Sequence, residues 1–276
     1  LLRSDMKFQN GYILAYDNQT AISAERGTVT LGSDLYIDAG RTGVELLEGA
    51  SLIVDGAQIR GTDEAVNLLG GGSHLIVKSG VFKGYVKISE GSTAELSGGS
   101  FESILCRDYF SLLADGYAYK STLEEERTIE EMFNDLCFVS VEKSPFTYSK
   151  ENKQVDYGYK NSATLSANVT ADAYQWYLGG EAIEDAENST YSVETGLAAG
   201  TYEYTCAAKL GSIYAPVKRV TFTVYCAHSN IGTDGVCVNC GNTYFAAVTN
   251  KNEQTIFCQS VAEAVEAAKS GATVKL

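Results

Sequence analysis

Four side chains near the C-terminal end of the sequence have the types and the spacing to bind a metal ion. Cys226-Ala227-His228 is followed, eight residues later, by Cys237-Val238-Asn239-Cys240-Gly241. Three thiols and one imidazole within fifteen residues are the donor set of a tetrahedral Cys₃His zinc site. A Cys-x-x-Cys turn ending in Gly241 lets both sulfurs face one ion, because glycine takes the left-handed backbone that such a turn needs. With Cys226, His228, Cys237 and Cys240 all bound, no coordination position is left open for water, so zinc here would be structural. The same residues allow two other readings: disulfides with or without a spectator histidine, as an extracellular location would favour, or free thiols. Seven cysteines is an odd number, so at least one stays unpaired unless it joins another chain.

Catalytic material is scarce elsewhere. With two histidines in 276 residues, histidine-based acid-base catalysis and triads have little to work with. Polysaccharide lyases and hydrolases need carboxylates clustered on one face, either as an acid and base pair or as calcium ligands. In the repeats described below, the equivalent outward positions are Asp55 over Lys78 over Ser97 and Arg60 over Lys83 over Glu102, so no two carboxylates stack. Asp63-Glu64 reads as a solvated turn and His74 as a surface residue. Tyr16, Tyr36, Tyr85, Tyr109, Tyr117 and Tyr119 are either exposed platforms for sugar rings or core residues, and strand chemistry favours the core.

Charge excludes more. A formal net charge of −14 argues against nucleic acid, because the chain lacks the clustered lysine and arginine a phosphate backbone attracts. No apolar run approaches the ~18 residues of a membrane span, and no signal peptide is visible. The sequence starts at Leu1 and stops at Leu276 inside a strand-like stretch, which leads us to expect a piece of a longer protein.

The elements that would carry these residues are mainly strands. GASLIVDGAQIRG from Gly49, GSHLIVKSGVFKG from Gly72 and GSTAELSGGSFES from Gly91 repeat one pattern, at offsets of 23 and 19 residues (72 − 49 and 91 − 72). That predicts a stacked parallel β-solenoid with inward ladders Leu52/Leu75/Ala94, Val54/Val77/Leu96 and Ile59/Phe82/Phe101. A second set is 44–46, 66–68 and 86–88, while 12–16, 28–31 and 35–37 give less regular coils. A capping helix is predicted over 122–136 from two capping boxes, Thr122 with Glu125 and Thr128 with Glu131, and the stripe Leu123, Ile129, Met132, Phe133 and Leu136. Cys106 and Cys137 flank it and could approach one another. Residues 138–141 read as a strand, and Lys143-Ser144-Pro145 as a boundary. Between 146 and 224 short strands recur with turn signals every eight to twelve residues, the rhythm of a β-sandwich. Past the cysteine cluster come a hairpin, 243–248 with 254–258, an N-capped helix over 260–269, and a strand over 273–276; Cys258 stands alone.

Trp176, in the stretch Tyr174-Gln175-Trp176-Tyr177, and Tyr204, two residues before Cys206, resemble the core tryptophan and tyrosine corner of bacterial immunoglobulin-like domains. The earlier strand has no cysteine to pair with Cys206, which is left as a small buried residue. Helix, glycine and Thr273-Val274-Lys275-Leu276 resemble the opening of another parallel β-helix. Together with Leu96-Ser97-Gly98-Gly99-Ser100-Phe101 and Leu113-Ala114-Asp115-Gly116-Tyr117-Ala118-Tyr119, the whole order resembles modular bacterial cell-surface proteins with right-handed parallel β-helix repeats, an immunoglobulin-like domain and a Cys-rich knuckle. The resemblance implies a mainly β chain divided into a capped β-helix at 1–143, a sandwich at 144–225, a Cys/His knuckle and hairpin at 226–259, and the start of a further β-helix at 260–276. It implies an extracellular, cell-surface location and a non-enzymatic adhesion or spacer role, with a glycan or host surface protein and further modules of the same chain as partners. The alternative is part of a carbohydrate-active enzyme.

Overall fold

The computed structural model describes residues 1–134, 136–226, 228, 231–232, 235–244, 246–251, 255–268 and 270–275, with the side chain of Asn134 left aside. The chain is mainly β, with a β-solenoid of about four turns. Contacts divide it into two compact units, the first formed by Leu1–Glu151, Ser166–Tyr191 and Glu203–Val220, the second by Asn152–Leu165, Ser192–Tyr202 and Thr221–Leu276. No helix among the described residues is long and apolar enough to cross a membrane.

The solenoid is built by β1 (Met6–Ala15), β2 (Ile22–Ala24), β3 (Thr28–Ala39), β4 (Thr42–Leu46), β5 (Ser51–Leu68), β6 (His74–Ile88), β7 (Thr93–Leu96) and β8 (Ser100–Leu105). Parallel pairing runs from β1 through β3, β5 and β6 to β8, with β2 on β4, β4 on β5, and β7 on β6. The inward ladders form as the repeat predicts: Leu52 opposes Leu75 and then Ala94, Val54 opposes Val77 and Leu96, Ile59 opposes Phe82 and Phe101. These side chains are almost wholly buried, and the Phe82 and Phe101 rings stack at 4.8 Å with 5° between their planes. Alternation with period two produces this, since each strand sends every second side chain into the coil.

One outward ladder differs from expectation. The register slips between Val54 and Asp55, so Asp55 opposes Ser79 and not Lys78, and its carboxylate accepts a hydrogen bond from the Ser79 hydroxyl at 3.3 Å. Arg60 does oppose Lys83, but it pairs with Asp38 one coil away at 3.6 Å. Glu64 is also no solvated turn residue. It is half-buried and accepts hydrogen bonds from Thr42 Oγ1 at 2.8 Å and Asn67 Nδ2 at 3.5 Å, which ties two coils together.

The capping segment is shorter than the sequence suggests. After β9 (Tyr117–Ser121), α1 covers only Ile129–Asn134, followed by β10 (Cys137–Lys143), which runs antiparallel to both β8 and β9. The second capping box forms reciprocally, Thr128 N–H to Glu131 Oε2 at 2.8 Å and Glu131 N–H to Thr128 Oγ1 at 3.1 Å. The first does not start a helix. Thr122 instead donates both its N–H and its hydroxyl to the Phe138 carbonyl, at 2.8 and 2.7 Å, so strand closure takes those donors before a helix can. Ile129, Met132, Phe133 and Leu136 are buried against the end of the solenoid core.

The first unit also holds strand Ala173–Leu178, which pairs antiparallel with residues 204–209 so that Trp176 opposes Cys206. Trp176 is fully buried, and its indole N–H donates to the Asn188 carbonyl at 2.9 Å. In the second unit, strands Ala246–Thr249, Thr255–Cys258 and Thr273–Lys275 make a three-stranded antiparallel sheet, and helix Val261–Ala267 packs Ala264 against Ala246, Val248 and Cys258. Ser260 caps that helix, accepting from Glu263 N–H at 3.1 Å. Gln254, Lys269 and Leu276, ends of the expected hairpin, helix and strand, lie outside the described residues. Also in this unit, the Tyr202 hydroxyl donates to the Ala198 carbonyl oxygen at 2.9 Å.

Candidate metal centre

Two short segments carry the four candidate donors. Cys226 follows directly on strand Ile213–Tyr225, and His228 takes a left-handed backbone with φ 50°. On the other side the Gly235 N–H donates to Gly232 O, and Tyr244 N–H to Gly235 O at 2.8 Å. The Cys237–Gly241 turn closes by Gly241 N–H to Cys237 O at 2.8 Å, with Gly241 at φ 74° as its position requires. Bridges Ile231–Cys237 and Val236–Thr243 complete this small frame.

The frame brings all four expected donors together, their ligand atoms within 4.8 Å of one another. Cys226 Sγ and Cys237 Sγ are 3.8 Å apart, and Cys240 Sγ lies 3.4 Å from His228 Nδ1. An ion at the centre of a tetrahedron, with bonds of about 2.3 Å to sulfur and 2.0–2.1 Å to nitrogen, needs sulfurs about 3.8 Å apart and sulfur to nitrogen about 3.5 Å. A disulfide would need about 2.05 Å. All seven cysteines, every one among the described residues, stand outside any disulfide, and the four-residue cluster could hold a metal ion. Cys226 and Cys237 are buried, His228 and Cys240 half-buried.

Electrostatics prepare one ligand more than the others. Burial opposes ionisation of Cys237, but hydrogen bonds from His228 and from the backbone N–H groups of Cys240 and Asn239 outweigh it and bring that thiol down to about 6. Burial pushes Cys226 up to about 11. Metal binding requires thiolates, so an ion held by these residues would displace protons from the remaining sulfurs.

Sequence reading missed one participant. The Tyr244 hydroxyl sits 2.8 Å from His228 Nε2, and the two rings are 4.7 Å apart. In the metal-bound state Nδ1, which faces the sulfurs, would be the ligand atom, and Nε2 would then carry the proton and donate it to the Tyr244 oxygen, fixing the tautomer and the ring orientation. The available signal was only that a ligating imidazole needs a partner for its second nitrogen; nothing in the spacing pointed to Tyr244.

Other expected candidates separate. His74 Nδ1 is 2.7 Å from Thr93 Oγ1 on the next coil. Tyr119 is fully buried, whereas Tyr16 and Tyr85 are exposed, contrary to the core assignment, and Tyr36, Tyr109 and Tyr117 are half-buried. Burial pushes the Cys106 thiol far up, and Cys137 is buried beside Arg127 at 3.5 Å; neither is in a disulfide. No protein-family model matches the chain, and no curated protein or solved structure matches it.

Proposed function

We propose that the chain is a non-enzymatic adhesion or spacer segment of a modular, extracellular bacterial surface protein, stapled at residues 226–240 by a structural zinc ion. In this reading a right-handed parallel β-helix (1–143) leads into an immunoglobulin-like sandwich (144–225), a zinc knuckle with its hairpin (226–259) and a further solenoid (260–276). The observation that carries it is the closed donor set, three sulfurs and Nδ1 within 4.8 Å, at spacings that suit tetrahedral zinc. When bound, zinc supplies folding energy and no reactive water, because four protein ligands fill its shell. The solenoid supports the same reading: its inward ladders are regular, while Asp55 and Glu64 are held by Ser79 and Thr42 as cross-coil ties.

Glycans or host surface proteins are the partners this reading assigns. Glycan arrays and host-matrix binding assays test it; a reproducible ligand supports adhesion, and none leaves a spacer. Turnover of any polysaccharide by this chain would instead establish the carbohydrate-active alternative.

A further inference from the structure

On the solenoid, β5, β6, β8 and β10 together border a cleft of about 260 Å³. Two aromatic rings face it from different strands, Tyr85 on β6 and Phe138 on β10, 46% and 47% exposed. Two carboxylates, Asp63 on β5 and Glu102 on β8, line the same cleft. They flank Gly84: its N–H donates to Glu102 Oε2 at 2.9 Å, and a Cβ placed on it would stand 3.4 Å from the Asp63 carbonyl oxygen. Ser103, also lining the cleft, is 7% exposed, and its buried hydroxyl has no hydrogen-bond partner among the described residues. The register ties these together, since Tyr85 opposes Ser103, and Ser103 opposes Cys137, the neighbour of Phe138.

The charge pattern decides what fits. No lysine or arginine lines the cleft among the described residues, and the Asp63 carboxylate makes no hydrogen bond or ion pair there. An anion would meet two unneutralised carboxylates. A neutral sugar ring could stack on the aromatics and donate hydroxyl hydrogen bonds to the carboxylates, but it would leave their charge unneutralised. A cation gains from both, because ring faces and carboxylates attract the same charge. The volume suits a charged head with a few carbons.

We propose that this cleft binds an alkylammonium group, the chemistry shared by a lysine side chain and a trimethylammonium headgroup. The inference goes beyond the spacer reading and stands on the cleft alone, whether or not the knuckle takes zinc.

Calorimetric titration of the full 276-residue chain with Nα-acetyl-lysine amide and with choline tests it and distinguishes the two sources. Nα-acetyl-norleucine amide and methyl glucoside are the neutral controls. The ammonium probes are expected to bind and the controls not, with affinity falling as salt rises. Asp63→Asn and Tyr85→Ala should each weaken binding about three- to thirtyfold. Phe138→Gly should weaken it equally while keeping the fold, because φ at this position is 51° and glycine removes the ring and suits that backbone together. Equal affinity for the norleucine and lysine amides, tighter binding of the glucoside, or variants that bind as the parent does would each overturn the proposal.

Discussion

At the scale of single residues, the knuckle depends on groups that do unequal work. Cys237→Ser replaces the thiol held lowest by its neighbours and is expected to abolish stoichiometric zinc binding, read by elemental analysis of the purified protein. Tyr244→Phe keeps all four ligands and removes only the acceptor for His228 Nε2–H. Its expected effect is a drop in zinc affinity of about 10- to 100-fold with unchanged stoichiometry, measured by competition against a chromogenic chelator. Cys206 behaves in the opposite sense to Cys237. Burial pushes its thiol up to about 12, so the neutral form is favoured and only about one molecule in 10⁴ carries the thiolate at pH 8. Alkylation mapped by mass spectrometry should therefore leave Cys206 unmodified in the native protein at pH 8, and its reactivity should appear as pH nears 12 or on unfolding.

At the scale of elements, the solenoid's tolerance is set by close packing between coils. Gly61 has no room for a side chain: a Cβ would stand 1.9 Å from the Glu64 carbonyl oxygen and 2.7 Å from that of Arg41. Gly61→Ala is expected to cost about 3 kcal/mol or more, since backbone on two coils must shift, and Phe101→Ala about 3–5 kcal/mol through loss of the Phe82 stack. Denaturant melts of the two variants check both. The inward ladders were legible in the sequence because alternation and a repeated apolar face determine them. The slip that puts Asp55 opposite Ser79 was not, because it is an irregularity in how β6 pairs with β5, which the repeat pattern of either strand alone does not encode. The capping helix shows the same limit. Both threonine boxes carry the right residues, but Thr122 lies within reach of the Phe138 carbonyl once β10 closes the sheet, and only tertiary placement reveals that.

At the scale of the whole molecule, two compact units, one containing the solenoid and the other the metal cluster, give stability two separate origins. The solenoid rests on stacked apolar ladders, whereas under the zinc proposal the frame around Cys226 and Cys237 would rest on its four donors. Chelation should therefore lower the thermal transition of the unit with the cluster and leave the solenoid transition in place, as followed by calorimetry with and without a strong chelator. The clustering of the four candidate donors was legible from residue type and spacing; Tyr244 and the cleft between Tyr85 and Phe138 were not, because both depend on strands distant in sequence or on a ring orientation that spacing does not encode. The most direct test of the account is native mass spectrometry of the purified chain combined with thiol titration. It predicts one zinc ion per chain, with Cys226, Cys237 and Cys240 reactive only after the metal is stripped. A metal-free chain carrying a disulfide among those three cysteines would contradict it.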